Sequence, residues 1–304
     1  MKAFKFAKNK FNIQVMKKIF FLVVLSVMAI FSLTSSKIND KRPQKLSIKI
    51  IETTDVHGYI LPYDFIDNKA TEYSLSHVSG MLNKLRTDPA FEYILLDNGD
   101  ILQGQPSAYY SNFMDTASTH IVAAAMNYMK YDAGSVGNHD IETGHAVYDR
   151  FNKQLNFPWL AANALRTDNG EPYFKPYTII ERKGVKIAVL GLTTPGIPNW
   201  LPEVIYKGIV FEDMIVTAQK WVKIIQEKEK PDAIVGLFHA GIDPTYGGAK
   251  ADEFRNENAV MLVAKQVPGF NVVFAGHDHS AMNEKIINAA GEEVLVMNAG
   301  SRGE

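Results

Sequence analysis

The chain has 304 residues, 46% of them hydrophobic, with 32 basic against 33 acidic side chains. That length can bury one large core or two small ones, and the near-balanced charge gives no electrostatic ground for a nucleic-acid polymer as partner. There is no cysteine, which excludes disulfides, thiolate nucleophiles, cysteine zinc sites and a cysteine-linked lipid anchor, and leaves His, Asp and Asn as metal-ligand types.

Lys2, Lys5, Lys8, Lys10, Lys17 and Lys18 precede an uncharged run from Ile19 to Ser36. Its most apolar part, Ile19–Phe31, is shorter than the ~20 residues a membrane-spanning helix needs. Residues 1–36 therefore read as a secretory signal peptide with a small-residue cleavage region at Thr34–Ser36, Met16 being an alternative start and an uncleaved anchor the alternative reading. The expectation is export to the periplasm or beyond, with no stable membrane insertion after cleavage. Residues 37–46 are polar and contain a proline, as a linker does, and 47–304 form the folded body.

Strand-like and helix-like segments then alternate. Ile48–Ile51 is strand-like; His77–Arg86 is helical, with Val78, Met81, Leu82 and Leu85 at i, i+3, i+4 and i+7. Tyr93–Leu96 is a strand, Ser118–Met129 an alanine-rich helix capped by Ser118, and Gly134–Val136 another strand. Val185–Leu190 is a strand entered by the turn Arg182-Lys183-Gly184. Asp213–Lys228 is the clearest helix, with Met214, Ile215, Ala218, Trp221, Val222 and Ile225 on one stripe. Strand Ala233–Phe238, helix Asn256–Val267 and strands Val272–Ala275 and Val294–Met297 complete the series, while Tyr109–Asp115 and Pro195–Lys207 read as irregular insertions. Alternation of this kind predicts an α/β sheet with helices on its faces.

Five of the strands run into metal-type ligands, the position where α/β sheets carry chemistry. The stretches are Asp55-Val56-His57, Gly99-Asp100, Gly137-Asn138-His139-Asp140, His239-Ala240-Gly241 and Gly276-His277-Asp278-His279. A lone histidine is more often a satisfied core or surface imidazole, and His77, His120 and His145 keep that reading. The other five of the eight all follow strands beside Gly, Asp or Asn. In extended backbone the two-residue spacing of Asp55 and His57 points both to one face, and His277 and His279 repeat it, either one imidazole per ion or both on one. If the five ends converge, they hold two metal ions bridged by Asp100.

In this order, these motifs resemble the calcineurin-like metallophosphoesterases. Thr53-Thr54-Asp55-Val56-His57-Gly58, Asp97-Asn98-Gly99-Asp100 with Gln103-Gly104, Ala162-Asn163, Pro172–Tyr177, Glu257-Asn258-Ala259 and Gln266–Gly269 are similar to the secreted 5'-nucleotidase branch, most of all its 2',3'-cyclic-nucleotide 2'-phosphodiesterase/3'-nucleotidase members. The resemblance implies an α/β fold of four layers, α/β/β/α, two packed mixed sheets flanked by helices. It implies one divalent ion on Asp55, His57, Asp100 and His279 and a second on Asp100, Asn138, His239 and His277, drawn from Mn, Zn, Fe, Co or Ni. Metal-bound hydroxide then attacks a nucleotide phosphoester in nucleotide catabolism, with a small molecule as the only implied partner. His139 stabilises the transition state or protonates the leaving alkoxide, oriented by Glu142; Asn138, His139 and Asn98 meet the phosphate. Asp140 is either a turn cap or a support for a metal-bound histidine, and Asp97 and Asp278 stand behind the ligands or in solvent. Relatives continue into a C-terminal domain that stacks the nucleobase, and this chain stops near the expected boundary as though cut. Competing expectations are a phosphatase for a non-nucleotide ester and a non-catalytic secreted binding protein.

Overall fold

Sequence alternation becomes layering in the computed structural model, which describes residues 46–304; the expected signal peptide over 1–36 and all but the last residue of the 37–46 linker lie outside the described residues. The first sheet has the order β1 (Ser47–Thr53), β2 (Phe91–Asp97), β3 (Ala133–Ser135), β4 (Trp159–Leu160), and every ladder in it is parallel. Parallel neighbours need crossovers, and helices supply them: α1 (Leu75–Leu85), α2 (Ile121–Met129), then α3 (Asn138–Glu142) with α4 (His145–Gln154). The second sheet is mixed, in the order β9 (Met282–Ile287), β10 (Glu293–Asn298), β8 (Val272–Ala275), β7 (Ala233–His239), β6 (Val185–Thr193), β5 (Tyr177–Arg182). The expectation of two mixed sheets holds for the larger sheet only. Helices α5 (Met214–Lys228) and α6 (Val260–Gln266) belong to it.

Three cores make the four layers. Along β2, Ile94 and Leu96 pack between the sheets with Leu160, Val189, Leu237 and Phe274, whereas Leu95 turns the other way to join Val122, Met126, Phe151 and Trp159 under the helices. In β6, Ile187 and Val189 face the first sheet while Ala188, Leu190 and Leu192 join Met214, Val222 and Val263 beneath α5 and α6. The period of two thus divides each strand between two cores.

Caps account for most boundary differences. Ser74 starts α1 two residues before the expected point, its side chain accepting from His77 N. Ser118 does not cap α2: Asp115 Oδ1 accepts its N–H at 3.0 Å, and His120 caps the helix by accepting from Val122 N at 3.2 Å. Asp213, expected as the first residue of α5, caps it instead, its Oδ1 accepting from Ile215 N (2.9 Å) and Val216 N (3.0 Å). Helix α6 starts later than Asn256, because Asn256 ties the preceding loop through Pro244 O (2.8 Å) and Lys250 O (3.1 Å). Tyr109–Asp115, expected to be irregular, is the end of a short helix, Pro106–Tyr109, continued by a π-turn over Tyr110–Met114.

Candidate metal centre

Register brings the carboxyl ends of five strands to one place. Thr53 pairs with Asp97 and Asp97 with Gly134, so Asp55, Asp100 and Asn138 leave the first sheet side by side. In the second sheet Phe238 pairs with Ala275, placing His239 beside the loop that carries His277 and His279. The ligand atoms of Asp55, His57 and His279 lie within 4.8 Å of one another, as do those of Asp100, His239 and His277. Asn138 joins the second group, its Oδ1 2.8 Å from His277 Nδ1 and 3.1 Å from His239 Nε2.

The histidine tautomers follow from what their outer nitrogens touch. His239 Nδ1 donates to Asn98 O (2.6 Å), His277 Nε2 to the Glu257 carboxylate (3.1 Å), and His57 Nδ1 to Gln103 O and Oε1 (both 3.1 Å). Each leaves a lone pair facing inward. His277 Nδ1, His239 Nε2 and the Asn138 carbonyl are then acceptors crowded together, and His57 Nε2 lies 3.1 Å from His279 Nε2. Such sets repel unless cations or protons sit among them, so the donors present fit two divalent ions.

Charge says the same. Burial disfavours the His239 imidazolium, but the Asp100 carboxylate 3.2 Å away outweighs burial and pushes its pKa up to about 10. Burial also opposes ionisation of Asp100, yet His239 holds the carboxyl below the usual range. The hydrogen bond to Asp55 raises His279, whereas burial lowers His57. The pocket accepts positive charge between its carboxylates.

Backbone turns make the convergence possible. Gly137 approaches Asp100 so closely that a Cβ there would stand 2.1 Å from Asp100 Oδ1, and a Cβ on Gly99 would stand 2.6 Å from Gly137 N. Asp140 accepts from four backbone N–H groups: Gly137 (2.8 Å), Asp100 (3.0 Å), Ile101 (2.9 Å) and Leu102 (3.0 Å). It holds two ligand loops together as a turn cap and touches no histidine ligand. Asp97, fully buried, binds the Thr53 hydroxyl (2.8 Å) and Gly99 N (3.1 Å); Asp278 takes Ile242 N (3.1 Å) and Asn298 Nδ2 (2.8 Å).

His139 stands at the rim, 37% exposed, with Nδ1 2.5 Å from Glu142 Oε2. Its Nε2 has no hydrogen-bond partner among the described residues, and its backbone N–H donates to Asp100 Oδ1 (2.8 Å). Asn98, expected at the phosphate, is corrected by its burial. Its Nδ2 donates to Phe238 O and Glu52 Oε1 (both 3.1 Å) and its Oδ1 accepts from Ser135 Oγ (2.8 Å), so its amide is committed to bracing the seam between the sheets. His77, His120 and His145 lie away from the centre on Ser74, Asn112 and Tyr173, as satisfied structural imidazoles. Gln103 and Glu257, which orient two ligands, had no assigned role in the sequence; both stand in the quoted motifs, the only signal available.

A family model for calcineurin-like phosphoesterases matches residues 48–281. The chain belongs to that family. Among curated relatives, the trifunctional nucleotide phosphoesterase protein YfkN of Bacillus subtilis is 29% identical over 251 residues, 77% of this chain and 17% of the relative. A 2',3'-cyclic-nucleotide 2'-phosphodiesterase/3'-nucleotidase of Yersinia enterocolitica is 27% identical over 277 residues, 86% of this chain and 41% of the relative. The chain thus spans less than half the length of either. The crystal structure of calcineurin-like phosphoesterase YfkN from Bacillus subtilis superposes with a TM-score of 0.72 at 28% identity, over 85% of this chain and 82% of that one. The four-layer arrangement is therefore the fold of the family.

Proposed function

We propose that residues 47–304 are the catalytic body of an exported di-metal phosphohydrolase that cleaves nucleotide phosphoesters, of the 5'-nucleotidase or 2',3'-cyclic-nucleotide 2'-phosphodiesterase/3'-nucleotidase type, in nucleotide catabolism. The carrying observation is the pair of ligand groups, Asp55, His57 and His279 in one and Asp100, His239 and His277 with Asn138 in the other, whose inward lone pairs face each other. Asp55, His57, His279 and Asp100 would hold one ion, and Asp100, Asn138, His239 and His277 the other. Ions held there would supply Lewis acidity, lowering the pKa of water and polarising phosphoryl oxygens.

The chain's own groups supply the rest. Asp55 and Asp100 contribute two negative charges against four positive ones, so the centre retains a net attraction for a phosphate. Asn138 and His139 stand where the phosphate meets the first sheet. In the doubly protonated ring, the Nδ1–H of His139 donates to the Glu142 carboxylate and the Nε2–H is left to donate to a developing oxyanion or leaving alkoxide. The names of the relatives support a nucleotide as substrate.

kcat/KM for AMP, 3'-AMP, 2',3'-cyclic AMP and a simple aryl phosphate, measured on metal-replete protein, tests the reading. At least one nucleotide is expected to exceed the aryl phosphate; equal values across all four would remove the nucleotide claim and leave a general phosphatase.

A further inference from the structure

The loop after β6, an insertion without a role in the reaction so far, carries an exposed indole to the rim of the centre. Thr193 ends β6 beside His239, and the next residue anchors the loop to both neighbours: Thr194 N donates to His239 O (2.8 Å) and its hydroxyl to Glu257 O (3.0 Å). A 3-10 turn over Ile197–Asn199 then presents Trp200. Its ring centroid lies 5.5 Å from that of His277 at an interplanar angle of 35°, yet 43% of the residue stays open to solvent. Gly196 sits beneath: a Cβ there would come within 3.0 Å of the indole and 3.2 Å of Glu257 Cγ, so the absent side chain lets the ring settle.

Trp200 and Leu201 line a cleft of about 410 Å³ together with Asn138, His139, Glu142 and Glu257. This is the space a leaving group enters if His139 protonates it. Among the described residues no lysine or arginine lines it, and the carboxylates of Glu142 and Glu257 are already engaged by His139 and His277. Such a cleft accepts hydroxyl donors, repels further anionic groups, and offers one large flat apolar face. A half-exposed tryptophan gains most when a planar partner covers it.

We propose that Trp200 is a specificity-determining residue, its indole being the surface on which the uncharged, ring-bearing leaving group of the substrate lies as its phosphoryl group meets the metal centre. This rests on the phosphohydrolase reading. It places part of the selectivity for ring-bearing esters within the catalytic body.

Phenyl phosphate and ethyl phosphate, compared in the metal-replete wild type, Trp200→Ala and Trp200→Phe, test it; taking the aryl-to-alkyl ratio between proteins cancels the intrinsic difference in leaving groups. The ratio of kcat/KM is expected to fall about tenfold in Trp200→Ala, the size of stacking on one aromatic ring, and to recover largely in Trp200→Phe. Calorimetric binding of phenylphosphonate against ethylphosphonate should shift in the same sense. An unchanged ratio, or an equal loss on both esters with a fall in metal content, would overturn the proposal and leave Trp200 as packing for His277. Should the wild type hydrolyse neither ester, the phosphohydrolase reading fails, and the phosphonate selectivity still decides the role of the indole.

Discussion

Five of the seven proposed ligands have left-handed backbone: Asp55 and His57 (φ 49°), Asp100 (56°), His277 (74°) and His279 (55°). For residues with a Cβ that region costs on the order of 1 kcal/mol each, and it persists where surrounding structure over-determines it. Here backbone bonds lock the turns: Asp55 N to Gly99 O (3.0 Å), His57 N to Asp100 O (2.9 Å) and Arg302 N to Asp55 O (2.9 Å). The residue types were legible in the sequence because ligands must be His, Asp or Asn. The φ values were not, since nothing local in Asp-x-His requires them. Asn98 shows the opposite failure: a polar residue beside ligands suggested substrate, while the contact that decided it came from Phe238 across the seam between the sheets. Two substitutions separate the roles at this scale. Asp100→Asn should abolish hydrolysis and lower metal content, and full activity there would refute the shared ligand. His139→Ala should lower kcat about 10²–10⁴-fold with metal content unchanged, as loss of a general acid does; metal loss in that variant would make His139 a ligand instead.

Helix α5 was legible because its apolar stripe runs unbroken from Met214 to Ile225; α2 differs at its start because Asp115, three residues ahead of Ser118, takes that N–H for its own turn. The true cap, His120, is an unusual choice with a consequence. Its Nδ1 accepts from Val122 N and its Nε2–H donates to Asn112 Oδ1 (2.8 Å), so the ring is held neutral; burial, with Arg150 nearby, lowers its pKa from 6.5 to about 4. The unfolded chain then takes up the proton first as pH falls. The contribution to stability is whole above pH 6.5, shrinks as pH falls from 6.5 to 4, and changes no further below that. The loss is about 3 kcal/mol for a shift of this size. His120→Asn keeps a capping oxygen and removes the titration. Between pH 7 and 4 the wild type is expected to lose several degrees more in Tm than the variant, and parallel pH profiles would contradict the assignment.

At the scale of the whole molecule, helices on sheet faces followed from alternation, but four layers did not. Strands such as β6 are buried on both sides, so their apolar runs look alike in a single doubly wound sheet and in two stacked ones; only the resemblance of the motifs distinguished them. Stacking matters because the proposed ligand set is divided between the sheets: Asp55, His57, Asp100 and Asn138 come from the first, and His239, His277 and His279 from the second. Each group draws on both sheets, so the packing of Ile94 and Leu96 against Val189 and Leu237 sets how closely the residues within each group approach. The central claim is that this seam holds two ions with Asp100 between them. An anomalous-scattering map of purified, metal-replete protein tests it most directly: two peaks flanking Asp100, one toward Asp55, His57 and His279 and the other toward Asn138, His239 and His277, are predicted, whereas a single peak or none would contradict it.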